Sequence, residues 1–365
     1  MKAILFDPTT KELRLGEHLE PRIQNADEVK LKVIEVGICG TDRHIAQGAT
    51  PPPDEKELII GHEMFGKVVE IGRSVSEFRV GDFAVVTVRR GCESCISCRS
   101  DRPDMCYLAN YTERGIKGRH GFQCEYVVDH EKNLIKVPDS MQTCGVLCEP
   151  MSVIEKAIEE IITIQKNRLD GWSTPKNFQK KQVLVVGVGP IGLLACIALK
   201  LRGFQVFAQD IVPADSPRAK LVEELGCIYI DGRMIKHQDF PREFGPMEII
   251  VEAAGVAEIN FQLLYALSNN GGCVLTGIPD PNANFPIAGG HLMQNLVLKN
   301  QVLLGSVNAG KKHWELAIQD LQEAQKKWPE TIAKLITSRV SYHQFKEAIS
   351  NCSEGEIKTV ITWGE

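Results

Sequence analysis

The sequence has 365 residues, which is long enough for two domains rather than one. Its net charge of −5 and pI of about 6.0, without a basic block, argue against a surface that binds nucleic acid or an anionic membrane. The 12 cysteines form one tight cluster plus members scattered among apolar residues, which favours reduced thiols and a cytoplasmic location over disulfides. The N-terminus meets Asp7 and Pro8 too early for a signal peptide.

Short β-strands are predicted in the N-terminal part of the chain, because apolar and polar residues alternate there, as in Val29–Val33. Turn signals recur along this part, most densely at Gly48–Pro53. Short strands with frequent glycine turns predict an irregular all-β domain. A helix with apolar residues at helical spacing is expected next, over Val153–Gln165.

From Gln182 onward, predicted strands and helices alternate, which indicates a parallel, doubly wound sheet and an α/β protein. The longest apolar run, Val183–Leu201, is long enough to suggest a membrane span, but its glycines and proline favour strand–turn–helix. The predicted strands are Gln182–Val186, Gln205–Gln209, Cys227–Ile230, Glu248–Val251, Gly272–Thr276, Val302–Leu304 and the C-terminal Lys358–Thr362. The predicted helices are a segment ending at Leu201, Arg218–Leu225, Ile259–Leu267 and His313–Lys326.

A tight cysteine cluster follows the spacing C-x2-C-x2-C-x7-C. Four thiolates close a tetrahedral shell around zinc and leave no open position, which makes such a site structural. A nucleic-acid zinc ribbon normally has two separated knuckles and a basic face, and neither feature is present. The ligands of the predicted structural zinc are Cys92, Cys95, Cys98 and Cys106.

A glycine motif of the form G-x-G-x-x-G follows a β-branched run and opens an apolar helix, the context that a dinucleotide-binding motif requires. Asp210 ends the next strand, close to the ~20-residue separation expected for the acid that binds the adenosine ribose. A carboxylate there repels a 2′-phosphate, so NAD is favoured and NADP remains possible. The motif residues are Gly187, Val188, Gly189, Pro190, Ile191 and Gly192.

A second zinc site is predicted from three dispersed residues, Cys39, His62 and Glu149. One thiolate, one imidazole and one carboxylate leave a fourth position open for water or substrate, which is the form of a catalytic zinc site. The segment after Cys39 adds a hydroxyl at Thr41 and an imidazole at His44. The sequence therefore predicts two zinc ions per chain.

Taken together, these motifs resemble the zinc-dependent medium-chain dehydrogenase/reductase superfamily over nearly the whole chain. Within it, the sequence looks most like the glucose 1-dehydrogenase branch, through Arg89-Arg90-Gly91-Cys92, Glu113, the segment from Glu149 to Ile161, and Ser306-Val307-Asn308. The resemblance implies a GroES-like catalytic domain of residues 1–152 and 306–365 and a Rossmann domain of residues 153–305. It also implies oxidation of an aldose at C1 to the lactone, with hydride transfer to a nicotinamide.

The same resemblance assigns roles to individual residues. Cys39, His62 and Glu149 correspond to zinc ligands, and Glu63 to a neighbouring carboxylate that binds or exchanges with the metal. Thr41 corresponds to the hydroxyl that contacts the reacting oxygen, and His44 to a proton relay, with a surface histidine as the alternative. Expected substrate contacts are Thr41, Glu113, Glu149 and Asn308, and further cofactor contacts are Gly277, Ser306, Val307 and Asn308.

Three positions depart from the sugar-binding pattern: Val88, Val153 and Leu298 stand where relatives often have polar residues. A site without those hydrogen bonds discriminates hydroxyl groups poorly. A polyol, threonine or other secondary alcohol therefore stays open as a substrate beside an aldose. A non-catalytic nucleotide-binding sensor is the alternative of a different class. The resemblance also implies a homodimer or homotetramer, whereas nothing in the sequence suggests a nucleic-acid or membrane partner.

Overall fold

The computed structural model describes residues 1–48, 57–351, 353 and 355–364, so most of the predicted turn at Gly48–Pro53 lies outside the described residues. Internal contacts divide the chain into two compact units. The first unit contains residues 1–152 and 308–322 and the C-terminal part from Ile332. The second contains residues 153–307 and 323–331. This division differs from the sequence-based one at residues 306–307 and 323–331, which group with the second unit.

The described elements follow one another in chain order. The N-terminal elements are β1 (Lys2–Asp7), β2 (Glu12–Glu17), β3 (Glu28–Gly37), α1 (Gly40–Ala46), β4 (Leu58–Ile59), β5 (Glu63–Ile71), β6 (Phe83–Val86), β7 (Arg89–Arg90), α2 (Ile96–Arg99), β8 (Thr112–Arg114), β9 (Gly118–Arg119), β10 (Tyr126–His130), β11 (Leu134–Val137) and α3 (Cys148–Arg168). The central elements are β12 (Gln182–Val186), α4 (Pro190–Leu201), β13 (Gln205–Asp210), α5 (Pro217–Glu224), β14 (Ile228–Asp231), α6 (Phe240–Glu243), β15 (Met247–Glu252), α7 (Ala257–Ala266), β16 (Leu267–Leu275), α8 (Gly289–Leu298) and β17 (Val302–Gly305). The C-terminal elements are α9 (Lys311–Lys327), α10 (Pro329–Leu335), β18 (Ile336–Ser341), α11 (Phe345–Ser350) and β19 (Lys358–Thr362).

The first unit is built on a mainly antiparallel sheet of order β11-β6-β5-β3-β19-β18, with β10 also paired to β3. The long strand β3 is central because its apolar side chains, among them Val29, Leu31 and Val33, are fully buried. β19 pairs antiparallel with β3, so the C-terminal strand is an integral part of the sheet formed by the N-terminal segment. This β-rich unit is the one that the alternating N-terminal pattern predicts.

The second unit contains a six-stranded parallel sheet of order β14-β13-β12-β15-β16-β17. The order reverses direction between β12 and β15, and ligands of such sheets bind beyond the strand carboxyl ends at this point. The strands are buried on both faces, as Val183, Leu184 and Val185 of β12 illustrate. The predicted α/β class, with a β-rich unit and a parallel doubly wound sheet, is therefore confirmed.

Most predicted elements are present with shifted ends, and the apolar run that begins at Val183 is β12, a turn and α4. The helix predicted over Val153–Gln165 is longer, because α3 begins at Cys148 and ends at Arg168. The short helix α1 was not predicted from the pattern, since seven residues are too few to show a period. Among the described residues, no helix combines the length and apolar character needed to cross a membrane.

A buried carboxylate connects three strands of the first unit. Asp129 on β10 accepts hydrogen bonds from Arg90 (Nη2, 2.6 Å) and Arg114 (Nη2, 2.6 Å), and its side chain is 2% exposed. Asn133 donates to its other oxygen at 2.7 Å. Burial opposes ionisation of Asp129, but the two guanidinium groups outweigh it and hold the pKa of this carboxyl well below its usual range.

We expect Asp129→Asn to lower the free energy of unfolding at neutral pH by about 3–5 kcal/mol, because it leaves two buried guanidinium groups without their counter-charge. Because the folded pKa is depressed, this stabilisation is present above the unfolded pKa near ~4 and is lost as pH falls below it. Denaturant unfolding at neutral pH and below about pH 4 should therefore show the difference between variant and parent shrinking. The exposed Glu70 provides Glu70→Gln as a control, and an equal effect of both variants would contradict the assignment.

Candidate active site

Cys39 is held at the point where β3 ends and α1 begins. It caps α1 in an extended conformation (φ −123°, ψ 177°), and Thr41 donates its backbone N–H to Cys39 Sγ at 3.2 Å. The Asp42 carboxylate in turn accepts the Cys39 backbone N–H at 2.9 Å. This reciprocal capping fixes the sulfur at the start of the helix.

The His62 ring lies between this sulfur and the Asp42 carboxylate. His62 Nε2 is 3.1 Å from Cys39 Sγ, and Nδ1 faces Asp42 Oδ1 at 3.5 Å. Burial opposes protonation of the ring, but the Cys39 and Asp42 charges outweigh it and raise the pKa of His62 well above its usual value. Asp42 is 1% exposed and orients the imidazole as a carboxylate partner does in histidine-ligated metal sites.

A possible metal-binding group joins Cys39, His62 and Glu63, whose ligand atoms all lie within 4.8 Å of one another. Thiolate, imidazole and carboxylate are all zinc ligands, so the donor set present fits zinc. A zinc ion would replace the proton that His62 shares with its neighbours, and its binding would release protons.

Glu63 has a second partner that the sequence did not suggest. Lys358, at the start of β19, donates to Glu63 Oε1 at 2.8 Å and Oε2 at 2.6 Å, and to the Ile38 carbonyl at 3.1 Å. Both side chains are 2% exposed. Burial opposes the ammonium charge, but Glu63 and Cys39 outweigh it and raise the pKa of Lys358. No sequence signal links the pair, because they are 295 residues apart.

Glu149 lies in the first turn of α3, half-buried, where a carboxylate is favoured by the helix dipole. Burial raises the pKa of Glu149 to about 7; the His62 charge lowers it by less, and the Glu63 charge raises it further. The structure therefore places Glu149 within electrostatic reach of the predicted zinc ligands. It does not place its carboxylate in the 4.8 Å group formed by Cys39, His62 and Glu63.

The two predicted proton-relay residues lie on α1. Thr41 is half-buried next to Cys39, and His44 is exposed. Residues three positions apart on a helix share a face, so the His44 ring can lie between Thr41 and solvent. Because Thr41 and His44 both lie on α1, the helical period places them on the same side of it.

The four-cysteine group is closed in the structure, with all four sulfur atoms within 4.8 Å of one another. Backbone N–H groups of Cys95, Cys98 and Tyr107 donate to its sulfurs at 3.3–3.5 Å. Hydrogen bonds from Ser94 and Cys95 lower the pKa of Cys92 to about 5. A Cβ atom at Gly91 would lie 2.3 Å from Cys98 Sγ, so only glycine fits beside this compact loop.

The predicted sugar contacts Glu113 and Asn308 are hydrogen bonded to each other. Asn308 Nδ2 donates to Glu113 Oε1 at 2.8 Å, and Arg89 Nε donates to the same oxygen at 3.0 Å. Arg89 also donates to the Asp104 carbonyl at 2.7 Å and stacks 3.9 Å above the Tyr111 ring. In the sequence, Arg89 and Arg90 are only part of the family resemblance. In the structure, Arg89 holds the Glu113 carboxylate in place.

The glycine motif forms the turn between β12 and α4. Gly187 has φ +89°, and a Cβ atom at Gly192 would lie 1.7 Å from the Gly187 carbonyl oxygen, so both positions need glycine. Gly189 caps the helix, Pro190 is its first residue and Ile191 follows within it. Nothing lies within 4 Å of a Cβ atom built at Gly189, which leaves room for a ligand to approach the backbone.

Asp210 closes this turn from the next strand. Its two carboxylate oxygens accept the backbone N–H groups of Val188 and Ile211, both at 2.6 Å. Asp210, Gly187 and Gly189 line a cavity of about 330 Å³ together with Arg218 and His237. Arg218 also lines this cavity and belongs to α5. No sequence signal pointed to it, because Arg218 does not directly follow Asp210 in the chain.

The remaining predicted cofactor contacts lie where chain segments approach closely. A Cβ atom at Gly277 would be 2.3 Å from the Gly255 backbone nitrogen. Ser306 Oγ donates to Glu160 at 2.8 Å, and the Val307 carbonyl accepts from Lys156 at 2.9 Å. These two bonds from α3 explain why residues 306–307 group with the second unit, whereas Asn308 groups with the first.

Comparison with known proteins agrees with this arrangement. Residues 25–139 match the alcohol dehydrogenase GroES-like domain, and residues 142–363 match the glucose dehydrogenase C-terminus. Glucose 1-dehydrogenase of Methanocella arvoryzae is 35% identical over 100% of both chains, and glucose 1-dehydrogenase 2 of Vulcanisaeta moutnovskia is 39% identical over 99% of both. The structure of Haloferax mediterranei glucose dehydrogenase in complex with NADP, Zn and gluconolactone superimposes with a TM-score of 0.88 at 30% identity, covering 100% of both chains.

The chain therefore belongs to the zinc-dependent medium-chain dehydrogenase/reductase superfamily and, within it, to the glucose dehydrogenase-like branch. It is a zinc- and NAD(P)-dependent dehydrogenase of that branch. Both the predicted family and the predicted enzyme class are confirmed, and the alternative of a non-catalytic nucleotide sensor is excluded.

We expect Asp42→Asn to weaken zinc binding at the Cys39–His62–Glu63 group by about 10–100-fold, because the carboxylate orients both Cys39 and His62. Competition with a chromophoric chelator measures this affinity directly. Asp139→Asn, at an exposed position, is the matched control. Unchanged zinc affinity in Asp42→Asn would show that the carboxylate does not support the metal site.

Proposed function

We propose that the protein oxidises the C1 hydroxyl of a glucose-like aldose to the lactone and transfers the hydride to NAD(P), with NAD favoured. The observation that carries this proposal is a zinc-type donor group in a chain of the glucose dehydrogenase branch. The Haloferax relative bound to NADP, Zn and gluconolactone supports both the metal and the class of product.

In the proposed reaction, Cys39 and His62, with Glu63 or Glu149, would hold a zinc ion, which would supply Lewis-acid activation of the substrate hydroxyl. Thr41 accepts the hydroxyl proton and passes it towards His44, which is exposed and exchanges it with solvent. Asp42 keeps His62 and Cys39 in position. The glycine motif would hold the pyrophosphate of a nicotinamide cofactor, which would supply the hydride acceptor.

Substrate recognition is assigned to Glu113 and Asn308. Arg89 and Asn308 both bond Glu113 Oε1, so the carboxylate is fixed before a sugar binds. A pre-positioned acceptor discriminates hydroxyl patterns at low entropic cost. Thr41 and Glu149 complete the proposed substrate contacts.

Oxidation of a polyol or another secondary alcohol is the second candidate. Val88 favours it, since this apolar residue directly precedes the arginine pair and is 1% exposed, so it offers a sugar no hydrogen bond. Initial rates with a set of aldoses, polyols and simple alcohols separate the candidates. Preference for an aldose would support the first proposal, and preference for an acyclic polyol the second.

We also propose two zinc ions per chain, because the described residues form two ligand groups of opposite character. The four-cysteine group is closed and structural, whereas the Cys39 group has an open position. The free cysteines of the described chain suit a reducing compartment, which supports a cytoplasmic location.

A homodimer or homotetramer is proposed from the edge of the parallel sheet. β17 is the last strand in the described order, and an exposed apolar edge strand favours pairing with another chain. Leu303 on β17 is 41% exposed, and Val297 and Leu298 at the end of α8 are 71% and 72% exposed. Exposed large apolar side chains of this kind favour an interface.

We expect Cys39→Ser to abolish turnover with every substrate while NAD still binds, because the thiolate is a proposed metal ligand and the nucleotide site lies in the second unit. Activity assays and nucleotide titration measure the two properties, and metal analysis should show one zinc lost. Cys95→Ser is the matched variant: it should lose the other zinc and destabilise the fold. Full activity of Cys39→Ser would refute the proposed mechanism.

The proposed preference for NAD over NADP can be tested at Asp210. Asp210→Asn removes the charge that opposes a 2′-phosphate and should raise the ratio of kcat/KM for NADP to that for NAD by about tenfold. Arg218 lines the same cavity, and Arg218→Gln should lower this ratio. Steady-state kinetics with both cofactors give the result, and a ratio unaffected by Asp210→Asn would refute the role of the carboxylate.

A further inference from the structure

The contact between Lys358 and Glu63 crosses an intervening strand. Glu63 on β5 is paired with Gly37 on β3, and Gly37 is paired with Val360 on β19. Lys358 lies two residues before Val360, so its side chain is on the same face of β19. The two charged groups thus belong to strands separated by β3, about 9–10 Å apart at the usual strand spacing.

Gly37 makes this crossing possible. A Cβ atom built at Gly37 would lie 2.1 Å from Glu63 Oε2 and 3.2 Å from Glu63 Cβ. Any side chain at this position would therefore occupy the space through which the carboxylate reaches Lys358. The backbone of Gly37 does not require glycine, because its φ is not in the left-handed region. The glycine is explained by the path of the Glu63 side chain.

The same carboxylate belongs to two charged groups. Its two oxygens accept two of the three hydrogen bonds of the Lys358 ammonium, and one of these oxygens also lies within 4.8 Å of the Cys39 and His62 ligand atoms. An ammonium ion and a zinc ion on one buried carboxylate compete for its electron density and repel each other. The position of Glu63 therefore depends on which cation holds it.

We propose that Lys358 is a positioning residue that holds Glu63 back from the catalytic zinc and thereby sets the affinity and exchange rate of the metal at Cys39 and His62. This inference rests on the proposed zinc site at those residues. Without Lys358, Glu63 becomes a permanent ligand and the zinc is held more tightly. With Lys358, Glu63 remains a partner of the ammonium, and the fourth position stays open for substrate.

The test measures zinc affinity of the full-length zinc-loaded protein by chelator competition in four forms: parent, Lys358→Met, Glu63→Gln and the double variant. The relevant zinc ion is the one that Cys39→Ser lacks. Lys358→Met should bind it about tenfold more tightly and release it more slowly. In the Glu63→Gln background the same change should alter the affinity by less than about twofold.

Cobalt substitution gives an independent readout. An added carboxylate ligand raises the coordination number, and cobalt(II) then absorbs less intensely in the visible range. Lys358→Met should show this loss of intensity, and the double variant should not. A purely structural role of Lys358 would change stability without changing the cobalt spectrum.

Two further variants control for folding. Lys156→Met removes a buried lysine of the second unit, which bonds Val307, and should leave zinc affinity unchanged. Gly37→Ala keeps both charged groups but blocks their path; it tests the contact if Lys358→Met does not fold. It should alter zinc affinity in the parent and have no effect in Glu63→Gln.

Equal changes in the parent and Glu63→Gln backgrounds, or no change on removing Lys358, would overturn the inference and leave the proposed function intact. If Cys39→Ser instead keeps all of its zinc, the proposed metal site fails, and the inference fails with it. The two failures are thus distinguished by one metal analysis.

Discussion

A cluster of charged and ligand-type side chains organises the candidate active site of this protein. Contacts of 2.9–3.5 Å join Asp42, Cys39 and His62, and Lys358 lies 2.6 Å from Glu63. The ligand atoms of Cys39, His62 and Glu63, which connect the two groups, lie within 4.8 Å of one another. Asp42, His62, Glu63 and Lys358 are buried, and each of their charges would be costly without its neighbours. A cation between the thiolate and the carboxylates completes the arrangement, which is why the same residues form both a stable core and a reactive site.

The strands around this network have to hold it in register. β3 is paired with β5 on one side and β19 on the other, so it carries Cys39 at its end and separates Glu63 from Lys358. A shift of one residue in either pairing would reverse the side-chain faces and break the network. The catalytic centre is therefore as precise as the register of three strands, one of which comes from the C-terminus.

Sequence reasoning identified the groups whose chemistry is local. The four cysteines lie within one short loop, and the motif Gly187–Gly192 within one turn, so their spacing already specifies their geometry. Asp210 is one strand away, and the structure places it beside this turn as the sequence predicts, because a β-α-β unit fixes its distance. Asp42 was missed although it is three residues from Cys39, since an aspartate after a helix cap is common and carries no metal signature by itself.

The sequence by itself determined the α/β class, the four-cysteine cluster and the glycine turn, because these depend on periodicity and short-range spacing, and its motifs already resembled the confirmed branch of the superfamily. Only the tertiary structure decided that Glu63, rather than Glu149, lies in the ligand group with Cys39 and His62, and that Arg89 and Lys358 hold the carboxylates. Those contacts join strands far apart in the chain. Their partners are chosen by sheet register and burial, which no local pattern encodes.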